Sequence, residues 1–119
     1  MPTEKRGGKR KKSVMSMVDE IRVFDNGGET YDRYTVVVFW KNLEPEDADV
    51  LYFGDKDLGA YSGTLGGSNA KWYDQVVTGH GGDLVGQPVK WDQVPVDVRH
   101  NIEERIEGFE GTMFDEGHE

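Results

Sequence analysis

The sequence predicts an α+β domain: an antiparallel sheet of about four or five strands, one C-terminal helix packed on it, and long Gly-rich loops. Three features carry that expectation. Val18 to Asp25, VDEIRVFD, alternates apolar and polar residues and then runs into Asn26-Gly27-Gly28, which suits the left-handed backbone of a hairpin turn. Arg33 to Trp40, RYTVVVFW, has the β-branched and aromatic density of a buried strand. Downstream, Val98, Ile102, Ile106 and Phe109 recur at helical spacing behind Pro95, which opens a first turn, and Asp97, which favours that turn's positive dipole end.

In chain order, residues 1–16 read as a disordered basic arm, 17–109 as a single domain and 110–119 as a disordered acidic end. The hairpin spans Val18 to Trp40. Asn42 to Asp49, NLEPEDAD, is an acidic loop with a proline, and Val50 to Gly54, VLYFG, is a short third strand. Gly54 to Gly86 holds nine glycines and reads mostly as loop, with Ala70 to Val77, AKWYDQVV, as one short helix. A long loop in a compact domain is often a binding segment; the alternative is a flexible cover over the sheet. Pro88 to Trp91, PVKW, is a fourth strand. The helix runs from Pro95 to Gly108, with Arg99, Glu103, Glu104 and Glu107 on its solvent face.

Charge divides the chain sharply. Residues 1–13 carry six Lys/Arg against one acid (+5), and residues 14–119 carry eight bases against twenty-two acids (−14), giving the −9 of the whole. An anionic body repels phosphates and attracts basic protein surfaces, so any nucleic-acid contact has to use the arm. A halophilic source would produce the same acidity without a partner. The absence of cysteine excludes disulfides, thiolate metal sites and thiol nucleophiles, and fits a reducing compartment such as the cytoplasm, which is the host's if the protein is viral. The longest apolar stretch, Thr35 to Trp40, falls far short of the ~20 residues that span a bilayer, and no apolar segment follows the basic N-terminus. Neither a membrane protein nor a secreted precursor is expected.

The run Asp25-Asn26-Gly27-Gly28-Glu29-Thr30, continued by Asp32-Arg33-Tyr34-Thr35-Val36-Val37, resembles a small phage and mobile-element family with a DNGG-x-T-x-DRYTVV hairpin motif. Tyr52-Phe53-Gly54, the glycines from Gly59 to Gly82, and Val94 to Arg99 resemble its aromatic-Gly segment, Gly-rich stretch and Pro-initiated helix. The resemblance implies a viral or mobile-element accessory protein and transfers no activity.

Among polar residues, Asp25, Asn26, Gly27, Gly28, Asp32 and Arg33 form the richest cluster, where amides, carboxylates and a guanidinium could meet a phosphate, a metal or a partner's backbone. The competing reading is turn chemistry, with Asp25 and Asn26 capping the turn and Asp32 and Arg33 pairing across the hairpin. His80 and Asp83 share a Gly-rich loop, yet the other histidines, His100 and His118, fall elsewhere, and the chain contains no HExxH, P-loop or GxGxxG string. Ser62, Thr64 and Ser68 lie among glycines without a Gly-x-Ser-x-Gly elbow. No catalytic residue, metal ligand or cofactor site is expected.

The leading expectation is a non-enzymatic accessory protein whose acidic surface binds a protein partner, possible targets including a host nucleic-acid enzyme. Its candidate contacts are Glu44, Glu46, Asp47 and Asp49, with Tyr61, Trp72 and Tyr73 as an aromatic patch. Two alternatives differ in class. One is a nucleic-acid-associated protein docking through Lys5, Arg6, Lys9, Arg10, Lys11 and Lys12. The other is a small-ligand or metal-dependent enzyme using Asp25, Asp32, Arg33 and His80.

Overall fold

A computed structural model describes residues 13–28 and 32–109 of the chain. Its frame is one antiparallel sheet of five strands: β1 (Val18–Asp25), β2 (Tyr34–Trp40), β3 (Asp49–Phe53), β4 (Ala60–Thr64) and β5 (Gln87–Val89), in the spatial order β4-β3-β2-β1-β5. One helix, α1 (Val96–Glu107), follows. The fold is α+β, as the patterns predict. The hairpin pairs Val23 with Val36 and Asp25 with Tyr34, and its turn places Gly27 and Gly28 at φ of +79° and +76°, a region that residues with a Cβ avoid.

β2 is the central strand and reads Tyr-Thr-Val-Val-Val-Phe-Trp, with every residue but Phe39 buried. An unbroken apolar run of that kind needs a cover on both faces. On one face Val36, Val38 and Trp40 join Val23, Leu51 and Phe53 beneath Val98, Ile102 and Ile106 of α1. The 3.6-residue stripe of the helix is thereby consumed, and Gly108 closes the last turn by donating its N–H to the Glu104 carbonyl at 3.1 Å.

The opposite face is covered by the Gly-rich segment. Leu65, Trp72, Val76 and Val85 pack onto Phe24, Val37 and Val50, and Leu65 is fully buried. This stretch departs from the sequence expectation at two points. Ala60 to Thr64 is an edge strand rather than loop; its extended run was hidden because Ser62 and Gly63 have poor strand propensity, and the register shifts opposite Val50 and Leu51 where Gly63 adopts φ of +127°. Ala70 to Val77 is not one helix either, but a 3-10 turn (Ala70–Trp72) followed by a single π turn (Asp74–Thr78) that Gly79 ends at φ of +83°. One tight and one wide turn carry Trp72 and Val76 onto the sheet where a regular helix would follow its own axis. A smaller shift affects β5, which ends at Val89, and Trp91 begins a 3-10 turn, Trp91–Gln93. Among the described residues no helix is long and apolar enough to cross a membrane.

If the Gly-rich segment is a packed layer, Leu65→Ala will cost about 3 kcal/mol in urea unfolding, the usual penalty for a cavity under a buried leucine. Leu84→Ala, at a side chain 51% exposed on the same segment, will change stability by less than about 0.5 kcal/mol. Equal small effects at both positions would mean that the segment does not pack.

Candidate functional site

The hairpin turn holds the densest set of polar side chains. Arg33, just before β2, donates from Nε to Asp25 Oδ1 at 2.7 Å and from Nη2 to Oδ2 at 3.1 Å, a bidentate fork across the hairpin. The Gly27 N–H adds a third donor to Asp25 Oδ1 at 2.8 Å. The Arg33 guanidinium, helped by that amide, holds the Asp25 carboxyl below the usual carboxylate range against a smaller opposing effect of burial. Asp55 lies further out, 3.9 Å from Arg33 Nη1. Asp25, rather than Asp32, is therefore the carboxylate that grips Arg33; Asp32 instead lends its backbone carbonyl to Asn26.

Asn26 is committed at both ends of its amide. Its Nδ2 donates to the Asp32 carbonyl at 3.1 Å and to Thr35 Oγ1 at 2.9 Å, while its Oδ1 accepts the Gly86 N–H at 3.1 Å. That last bond clips the Gly-rich segment to the turn. Gly86 has to be glycine, because a Cβ there would sit 2.0 Å from the Asp25 carbonyl oxygen. Asn26, Asp32, Thr35, Tyr52, Trp72 and Leu84 line a small cleft of about 250 Å³ beside the turn. Tyr52 meets Trp72 edge-on at 6.0 Å.

A second cluster lies where β3 and β4 meet the last turn of α1. Asp49, 3% exposed, accepts from Trp40 Nε1 at 2.8 Å and from the Tyr61 hydroxyl. Phe109 sits between, tilted against Trp40 at 5.9 Å and edge-on to Tyr61 at 6.3 Å. Burial pushes the Asp49 carboxyl up; its two donors pull the other way, and the neighbouring Asp47 adds to the rise. Burial and the Asp49 charge also raise the Tyr61 phenol. In front of Tyr61 a groove of about 750 Å³ runs between β4 and α1, bordered by Leu58, Glu104 and Arg105. Arg105 stands over the Phe109 ring at 5.7 Å with its Nε buried and unbonded.

The candidate partner contacts divide. Glu44, Glu46 and Asp47 are exposed on a turn (Pro45–Asp47) whose backbone is fixed by the Gly66 N–H donating to the Glu46 carbonyl at 2.8 Å and the Leu65 N–H donating to the Ala48 carbonyl at 2.9 Å. Tyr61 is half exposed. Asp49 and Trp72 do not belong to the surface: strand parity turns Asp49 inward beside Trp40, and Trp72, 9% exposed, is core beneath the sheet. Tyr73 is half-buried against the same cluster.

Lys5, Arg6, Lys9, Arg10, Lys11 and Lys12 lie outside the described residues, as do Thr30, His118 and the acidic end 110–119. His80 is exposed in a turn, its N–H bonded to Thr78 Oγ1 at 3.2 Å. Among the described residues no three His, Cys, Asp or Glu side chains come together in a way that could hold a metal ion. Ser62 and Ser68 are tied to their own loop through Asn69 Nδ2 on Ser62 Oγ and Ser68 Oγ on the Ser62 carbonyl, each at 3.2 Å. Comparison with protein-family models, with curated proteins and with solved structures finds no match.

The two buried or paired carboxylates predict opposite pH effects. The lowered Asp25 stabilises the fold above the ordinary carboxylate range and loses that contribution as pH falls through its folded value. The raised Asp49 contributes below the unfolded carboxylate range and loses that contribution as pH rises through its folded value. In unfolding titrations, Asp25→Asn will flatten the acid limb of stability, whereas Asp49→Asn will gain on the wild type as pH rises above the ordinary carboxylate range. The reverse ordering would show that the two environments are misassigned.

Proposed function

We propose that the protein is a non-enzymatic accessory protein of a virus or mobile element that binds a basic protein surface through an acidic face centred on Glu44, Glu46 and Asp47. The observation that carries this reading is the fixed backbone of their turn. Two main-chain bonds from Leu65 and Gly66 fix the backbone that carries three exposed carboxylates at the end of β4, so a partner has little backbone left to order on binding. Tyr61, 50% exposed on the same strand, supplies an aromatic contact of the kind that anchors interfaces.

The charge of the body supports a basic partner. With −14 over residues 14–119, the protein steers cationic surfaces toward itself and away from nucleic acid, as a nucleic-acid mimic that occupies a host enzyme would. The polar clusters add a second line of support. Asp25, Asn26 and Arg33 spend their hydrogen bonds on turn, loop and strand, which suits scaffolding rather than proton transfer.

The test is capture of partners by the full chain, with and without nuclease, followed by titration of whatever is captured. A nuclease-resistant basic protein will bind the triple variant Glu44→Gln, Glu46→Gln, Asp47→Asn about ten- to a hundredfold more weakly, and wild-type binding will weaken with salt. Binding indifferent to both changes would reject the acidic-face reading. Capture abolished by nuclease would point to docking through Lys5, Arg6 and Lys9 to Lys12 instead.

A further inference from the structure

We propose that Ser13 is a phosphoacceptor for a basophilic serine kinase, and that phosphorylation there unclasps the N-terminal turn from α1. The first described residues form a 3-10 turn, Val14–Met17, lying at the C-terminal end of the helix. Its N-terminal side is held by one side chain, Glu107. The Glu107 carboxylate accepts from the Ser13 hydroxyl, from the Val14 N–H at 3.1 Å and from the Met15 N–H at 3.0 Å. Behind this contact Val14, Met15 and Met17 pack, partly buried, on the helix side of the core, and the Lys41 N–H donates to the Met17 carbonyl at 2.9 Å.

Ser13 itself is exposed. The residues before it are Arg10-Lys11-Lys12, so bases stand three, two and one positions upstream of the hydroxyl. Kinases with acidic substrate clefts select acceptors by that charge pattern. Ser16 is exposed too and donates to the Ser13 carbonyl at 2.6 Å, but its own third upstream neighbour is Ser13 and it lacks the pattern. In the transfer, Ser13 Oγ attacks the γ-phosphorus of ATP, the bond to the β-phosphate oxygen breaks, ADP leaves, and the hydroxyl proton goes to the kinase's base.

The product reverses the sign of the contact. A hydroxyl that donated to a carboxylate becomes a group of about −1.5 to −2 charge at pH 7, set against Glu107. Glu103, Glu104 and His100 line one shallow groove with Glu107, so this end of the helix already carries two further carboxylates with a single imidazole beside them. As the carboxylate is driven off, the Val14 and Met15 amides lose their acceptor, and the turn is left with its modest apolar contact and the Lys41 bond at its far end, Met17. The charge of residues 1–13 falls from +5 to about +3 in the same event.

The full-length protein is incubated with ATP, magnesium and the catalytic subunit of cyclic-AMP-dependent kinase, then read by site mapping and amide hydrogen exchange. One phosphate is expected on Ser13, with incorporation slowed at least tenfold by Arg10→Ala and abolished by Ser13→Ala. Exchange at Val14 and Met15 is expected to accelerate at least tenfold while that of β2 stays unchanged. In Glu107→Ala the same amides will already exchange fast, and phosphorylation will add less than threefold. Phosphate on Ser16 instead, phosphate on Ser13 without faster exchange, or an undiminished effect in Glu107→Ala would each overturn the proposal.

Discussion

The double burial of β2 is the constraint from which the rest of the structure follows. A strand with Thr35, Val37 on one side and Tyr34, Val36, Val38, Trp40 on the other cannot leave either face to water, because every exposed valine or tryptophan forfeits about 1.5–3 kcal/mol of transfer free energy. A chain of this length has one amphipathic helix to offer, and that covers one face. The second cover has to come from a segment with no regular periodicity. This is why the Gly-rich stretch, which in composition looks like solvent-exposed loop, contributes Leu65, Trp72, Val76 and Val85 to a closed core.

Glycine then serves close approach as much as flexibility. At Gly86 the cover passes so near the hairpin that any side chain would strike the Asp25 carbonyl, and at Gly66 a Cβ would lie 2.4 Å from that of Glu46. Both contacts bring a main-chain N–H onto an acceptor in the sheet's own connections, Asn26 in one case and Glu46 in the other. The irregular layer is thus sewn to the regular one by backbone donors at both ends of the sheet, and its apolar side chains fill the space between.

The same physics explains what the sequence disclosed. The hairpin and α1 were legible because each carries its own periodicity and its own punctuation: Asn26-Gly27-Gly28 for one, Pro95 and Gly108 for the other. Strand β4 was not, since Ser62 and Gly63 interrupt its pattern at the bulge and its edge position asks for little apolar content. In the polar cluster the residue types announced turn chemistry correctly, but the choice between Asp25 and Asp32 as the partner of Arg33 depends on strand register, which one sequence does not reveal. Asp49 conceals its place for a similar reason. It closes an acidic loop in the sequence, yet it is also the first residue of β3, and its parity with Leu51 and Phe53 turns it toward Trp40.

The two ends of the sheet consequently differ in what they can offer a partner. At the hairpin end the polar groups are paired with one another: Asp25 with Arg33, Asn26 with Thr35 and Gly86. At the opposite end the acidic turn of Glu44, Glu46 and Asp47 stands exposed, and Glu107 takes hold of the incoming chain at Ser13. Folding satisfies the first end internally and leaves the second with charge held on a rigid frame. An incoming surface gains most where the frame is already ordered and the charges are still solvated, because it then meets electrostatic complementarity without also having to order the backbone that carries it.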